Sequence, residues 1–127
     1  MVVSLTQRKD GGDMVEASGA LDGVGVDVSK LGSNWEFVLH VLFLTPEKCA
    51  VFQLQGSQDN FATTVPGPTF NPSGEVKSTA PRRFTAHGRD FPSLPVGKAG
   101  GKLRLTLALL DADASVRYSA FVRMADP

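Results

Sequence analysis

Gly97-Lys98-Ala99-Gly100-Gly101-Lys102-Leu103 is the stretch of this sequence that most resembles a phosphate-cradling loop. It fails the chemistry. Such a loop needs a glycine five positions before its Gly-Lys pair, where the chain has Val96, and a Ser or Thr after the lysine, where it has Leu103. The stretch also leads into a strand pattern, so no helix amino terminus would face a phosphate. It reads as a glycine-rich strand connector. Gly23-Val24-Gly25 is too short for a dinucleotide fingerprint and sits within a strand pattern, where a bulge is the expectation. His40 and His87 are the two histidines, and with Ser4, Ser57, Ser119 and several aspartates they assemble into a triad only on paper. His40 alternates out of phase with an aromatic face, which predicts a solvent-facing or interface imidazole, and His87 reads as a surface strand end. Cys49 is either a small buried hydrophobe or a thiol partly activated by Lys48. Asp111 and Asp113 have the spacing of two calcium ligands but lack the glycine and distal glutamate of such a loop, so a hairpin turn is expected.

Arg82, Arg83 and Arg89 with Phe84 and Phe91 form the one basic, aromatic-interleaved stretch. It could contact phosphates, but 13 basic residues balance 13 acidic ones, and a neutral chain has no field to recruit nucleic acid or an anionic membrane. A salt-bridged protein interface is therefore the expectation, since arginine and aromatics are enriched at such contacts. Trp35 and Tyr118 could stack on a sugar, although a tryptophan in phase with core residues is normally buried. These features yield no expected metal, cofactor or catalytic group.

The scaffold for these side chains must come from 127 residues, enough for a single domain, 1–127, in which residues 1–13 could be an extended arm. A lone cysteine excludes a disulfide framework. Charged residues make up 20% of the chain, below the ~25% usual in soluble domains, which hints at life in an assembly. The longest apolar stretch, Phe37 to Leu44, is interrupted by His40 and is too short for a spanning helix.

Period-two patterning sets the fold class. Trp35, Phe37, Leu39, Val41 and Phe43 occupy one parity of a long apolar run, the core face of a central strand. Four leucines alternate with Lys102, Arg104, Thr106 and Ala108, and Val116, Tyr118, Ala120 and Val122 alternate with polar residues. A short link, 111–114, joins these last two runs, which predicts an antiparallel hairpin. Further strands are expected over 20–28, 50–55, 68–70 continuing into 75–78, and 83–87. Gly, Pro and Asn clusters separate them. The expectation is an all-β, antiparallel β-sandwich, jelly-roll-like, of about eight short strands.

Val26-Asp27-Val28-Ser29-Lys30-Leu31-Gly32, the strand over 35–44, Phe52-Gln53-Leu54-Gln55-Gly56-Ser57-Gln58-Asp59-Asn60-Phe61, Phe91-Pro92-Ser93-Leu94-Pro95-Val96-Gly97, Leu103-Arg104-Leu105 and Val116-Arg117-Tyr118-Ser119-Ala120-Phe121 follow one another in an order that resembles the small capsid cement, or decoration, proteins of tailed bacteriophages. The likeness covers roughly residues 20 to 123, and its "Gln-x-Ser-x-Asp"-like motif departs here, with Gly56 between Gln55 and Ser57. The resemblance implies a non-enzymatic virion protein on the outer surface of the capsid, a dimer or trimer that bridges major capsid protein subunits and binds neither nucleic acid nor membrane. On that expectation, Arg82, Arg83, Phe84, Arg89 and Phe91, with Pro68 and Phe70 in the Pro/Gly loops at 66–74 and 92–101, face neighbouring subunits. The rival expectation is a non-catalytic carbohydrate-binding sandwich of a phage tail or accessory protein. A small jelly-roll enzyme is the weakest, having only two isolated histidines to work with.

Overall fold

The computed structural model describes residues 2–5, 15–17, 20–22, 25–32, 34–46, 49–73, 76, 81–109 and 116–124. Ten strands follow one another: β1 (Val2–Ser4), β2 (Val15–Ala17), β3 (Ala20–Asp22), β4 (Val26–Asp27), β5 (Trp35–Leu44), β6 (Ala50–Ser57), β7 (Val65–Phe70), β8 (Arg82–His87), β9 (Lys102–Leu109) and β10 (Val116–Met124). A 3-10 turn, Gly88–Asp90, follows β8. Among the described residues every pairing is antiparallel. Sheet A runs β1-β10-β5-β8, with β2 also on β10; sheet B runs β3-β9-β6-β7, with β4 also on β9. Because β1 and β2 share one side of β10, and β3 and β4 one side of β9, the ten strands fill eight positions, four in each sheet. Numbered along the chain, those positions read 1-8-3-6 and 2-7-4-5, the strand order of a jelly roll.

The sandwich forms because both sheets turn one parity inward. Phe37, Leu39 and Val41 of β5 and Val116, Tyr118, Ala120 and Val122 of β10 meet Phe52 and Leu54 of β6 and Leu103, Leu105 and Leu107 of β9, all within one core. Aromatic contacts cross between the sheets: Phe52 meets Tyr118 edge-on at 5.0 Å, and Phe37 stacks on Phe70 at 5.5 Å. Truncating a fully buried ring such as Phe37 to alanine would cost about 3–5 kcal/mol.

Three details differ from the sequence pattern. Phe43 is only half-buried, and Leu44 is fully buried instead. Arg117 pairs with Phe43 while its neighbour Tyr118 pairs with Val41, so Leu42 is an extra residue in the ladder; this bulge flips the parity of the strand's last two residues. The predicted terminal hairpin is not formed. β9 pairs with β6, β3 and β4, whereas β10 pairs with β5, β1 and β2, so the two strands lie in opposite sheets. Alternation states which residues face the core and is silent on the side from which they face it. The hairpin present instead is β6–β7. Finally, within the stretch 1–13 considered as an extended arm, Val2–Ser4 is an edge strand on β10, in register Val3↔Val122, and residues 6–13 lie outside the described residues.

The strand expected over 20–28 is split into β3 and β4, with Gly25 between them at φ +92°. A Cβ on Gly25 would lie 2.6 Å from the Phe61 ring, so the break there needs glycine both for its dihedral and for its lack of a side chain. Gly56, the residue that interrupts the expected motif, is buried in β6, where a Cβ would meet Pro95 Cδ at 2.5 Å. The loop that begins Leu94-Pro95-Val96 closes over the core at this point. Glu75, 77–78, Gly23-Val24 and 111–114, which carried other strand and turn expectations, lie outside the described residues.

Candidate protein interface

The outward parity of sheet A gathers the side chains with most chemistry. From β5 come Glu36, Val38, His40 and Leu42; from β10 come Ser119, Phe121 and Arg123; from β8 come Arg83, Thr85 and His87. Antiparallel register aligns them, with Glu36 between Arg123 and His87, and His40 between Ser119 and Arg83. Arg123 donates to Glu36 Oε1 at 2.8 Å, and Arg83 approaches the same oxygen at 3.8 Å. His87 Nδ1 stands 3.8 Å from the other carboxylate oxygen. One carboxylate thus ties the edge strand β8 to β10 across β5. The arginines are half-exposed, so each pair contributes no more than ~1 kcal/mol, and salt screens it.

Val38 is fully buried although it faces away from the core. Phe121 and Thr85 are its register partners, and Glu36 and His40 flank it on β5. The His40 ring meets Phe121 edge-on at 6.4 Å, while Arg123 lies over the same ring at 5.8 Å. The result is an apolar strip, Val38, Leu42 and Phe121, rimmed by arginine, histidine and one carboxylate. Apolar residues at the centre and polar ones at the rim are an arrangement that protein contact surfaces share.

The residues predicted to face neighbouring subunits are split by the fold. Arg83 belongs to this face. Arg82, on the same edge strand, is exposed, and its guanidinium donates to the Ser73 carbonyl at 2.7 Å. Arg89 is exposed on the 3-10 turn beyond β8, where with Asn34, Trp35, Gly88, Phe91 and Pro92 it lines an open cleft of about 350 Å³. Pro68 is half-buried in β7. Phe70 is buried between Phe37 and Phe84, and most of its ring is used in folding. Phe84 and Phe91 pack against the core from its margin and offer only part of their rings. Glu36, Phe121 and Arg123 were missed. They are far apart in sequence, and the available signal was a single carboxylate on the polar parity of an otherwise apolar strand.

The loops around Ser57 and Asp27, beside the start of β9, are ordered by their own hydrogen bonds. The buried Ser57 hydroxyl donates to Asp59 at 2.6 Å and accepts from the Phe61 amide, while Thr63 N–H reaches the same carboxylate at 2.8 Å. The Ser57 hydroxyl, then the Thr63 donors, hold the Asp59 carboxyl below its ordinary value. Asp27 is lowered in the same direction, first by the Ser29 hydroxyl at 2.6 Å and then by the Ser29 amide. Asn60 and Phe61 both take positive φ, 57° and 65°, a strained pair held by these bonds and by Arg104, whose guanidinium covers the Phe61 ring at 4.2 Å. Gly97 and Gly100 also have positive φ, so the glycine-rich stretch is a bent connector into β9.

Trp35 is 3% exposed and Tyr118 fully buried, so the pair considered for sugar stacking lies inside the sandwich. Cys49 is half-buried and bridges to Ser73, less enclosed than a core hydrophobe; Lys48 lies outside the described residues. Ser119 is opposite His40 in register, but the nearest carboxylate on that face, Glu36, is engaged by Arg123. Among the described residues, no group of three His, Cys, Asp or Glu side chains is placed to hold a metal ion, and no helix is long and apolar enough to cross a membrane. Comparison of the chain with known protein-family models and with curated proteins finds no match.

Proposed function

We propose that the chain is a structural virion protein that decorates the outside of a tailed-phage head and stabilises it by bridging major capsid subunits, acting as a dimer or trimer. The observation that carries this reading is the outer face of sheet A, where Leu42 and Phe121 stay only half-buried beside Val38, within a rim of Arg83, Arg123, Glu36 and His40. A face so built works by burial against protein and has no reaction to perform. Jelly-roll sandwiches recur in viral capsid domains, and the balanced charge of this chain suits contact with protein over polyanion. An interface of ordinary size hides ~1,600 Å² in total, and only part of the apolar gain survives the cost of association. Repeated over symmetry-related sites on a shell, modest contacts accumulate through avidity. The carbohydrate-binding alternative loses its sequence support with Trp35 and Tyr118 inside the core.

Sedimentation of the purified protein with expanded heads of the phage that encodes it tests the reading. Co-sedimentation that saturates at a fixed ratio to the major capsid protein is the expected result. Protein left in the supernatant at all ratios would refute it.

A further inference from the structure

Each sheet ends in an edge strand, and the two edges following the central pairs are built differently. β7, at the end of sheet B, carries Pro66 and Pro68, which have no N–H to offer an added strand. β8, at the end of sheet A, is a six-residue strand, Arg82–His87, with neither proline nor glycine; among the described residues its ladder partner is β5, and Arg82, Arg83 and Thr85 are exposed. An edge left open in this way is a template for strand addition.

We propose that β8 is the docking edge for an extended acidic segment of a partner protein, which adds antiparallel to sheet A and seats an apolar side chain in the cleft beyond His87. Charge selects this occupant. Arg82 and Arg83 are both exposed and, being adjacent in a strand, project on opposite sides of it; Arg89 is exposed just past its end. Among the described residues, the carboxylates near this edge are Glu36, already bonded to Arg123 at 2.8 Å, and the exposed Asp90. Three arginines outnumber the carboxylates described there. β8 carries no carboxylate, so pairing with β8 of a second copy would bring further arginines to this edge and nothing to neutralise them. The cleft fixes direction. It lies past the carboxyl end of β8, lined by Trp35, Phe91 and Pro92 among others, so an antiparallel segment enters with its amino-terminal end there.

This inference rests on the reading of sheet A as a protein-contact surface, yet it is tested without heads. The probe is a short labelled peptide alternating Glu and Val with an amino-terminal Trp, followed by fluorescence anisotropy and by hydrogen exchange at the β8 amides. The proposal expects saturable binding, slowed exchange within Arg82–His87, and weaker binding when the Trp is moved to the carboxyl end. The double variant Arg82→Glu, Arg83→Glu, checked for folding by near-ultraviolet circular dichroism, should bind about fivefold to tenfold more weakly. It should also acquire binding to the Lys/Val peptide. Equal binding of Glu/Val and Lys/Val peptides to the natural protein, protection at β7 in place of β8, or tighter binding of an oligothymidylate would each overturn it. Heads that sediment the protein while the acidic peptide fails to bind would overturn the docking edge and leave decoration standing. The reverse pattern would support the edge and overturn decoration.

Discussion

The two outer faces of the sandwich share one alternation and close it in opposite ways. On sheet B the outward residues Gln53, Gln55, Arg104 and Thr106 satisfy one another: Gln55 donates to Gln53 at 2.8 Å, Arg104 donates to Gln55 at 2.9 Å, and Thr106 reaches the Gln53 backbone carbonyl at 3.3 Å. That part of the face is finished as an amide network joined by Arg104, which also lies over Phe61. On sheet A a single carboxylate spans three strands, an imidazole meets an aromatic edge, and a valine is sealed from solvent. Alternation turns a residue outward; the residue's chemistry decides whether that face closes as a polar network or as an apolar strip.

Introducing a charge should separate the two faces most. Val38→Asp buries a carboxylate beside Glu36 and is expected to cost about 3 kcal/mol in urea unfolding, whereas Gln53→Asp on the half-exposed amide face should cost less than about 0.5 kcal/mol. Equal costs would show that the sheet A strip is not sealed. Removing the shared carboxylate by Glu36→Gln should cost about 1 kcal/mol or less at low ionic strength, and less still in high salt, because it breaks exposed ion pairs. Arg104→Ala is the matching test on sheet B. It should cost about 0.5–1 kcal/mol through lost stacking and stem packing, with weaker dependence on salt.

Acid should reveal the smallest difference. Folding holds Asp59 and Asp27 below the ordinary carboxylate value of 3.8, so their ionised forms favour the native state above that value. That contribution is lost as pH falls through the lower, folded-state values. Both groups are exposed, and Asp59→Asn and Asp27→Asn should flatten a shallow fall in thermal midpoint below pH 4.

What was legible in the sequence follows from the same contrast. Trp35–Leu44 was readable as a central strand, because ten residues of period-two apolar pattern have few alternatives. The bulge at Leu42 was hidden, since it arises from pairing with Arg117 and Tyr118, some 75 positions later in chain order. β9 and β10 were readable as strands, but their membership of opposite sheets depends on partners and not on their own pattern. β7 was shortened in the reading because Pro66 and Pro68 signal a loop, and at a sheet edge a strand tolerates both. The arginine-aromatic stretch was visible as a candidate interface. Its division into the exposed Arg82 and Arg83 and the inward-packed Phe84 comes from the position of β8 beside β5 and Phe70. The Glu36 contact set needed three strands to be aligned, which no local window contains.

Hydrogen exchange on the protein bound to expanded heads tests the central claim most directly. Slowed exchange at 36–42, 82–87 and 117–123, with 53–55 and 102–106 unchanged from the free protein, is the predicted result. Protection confined to sheet B, or an exchange pattern identical in the free and head-exposed protein, would contradict it.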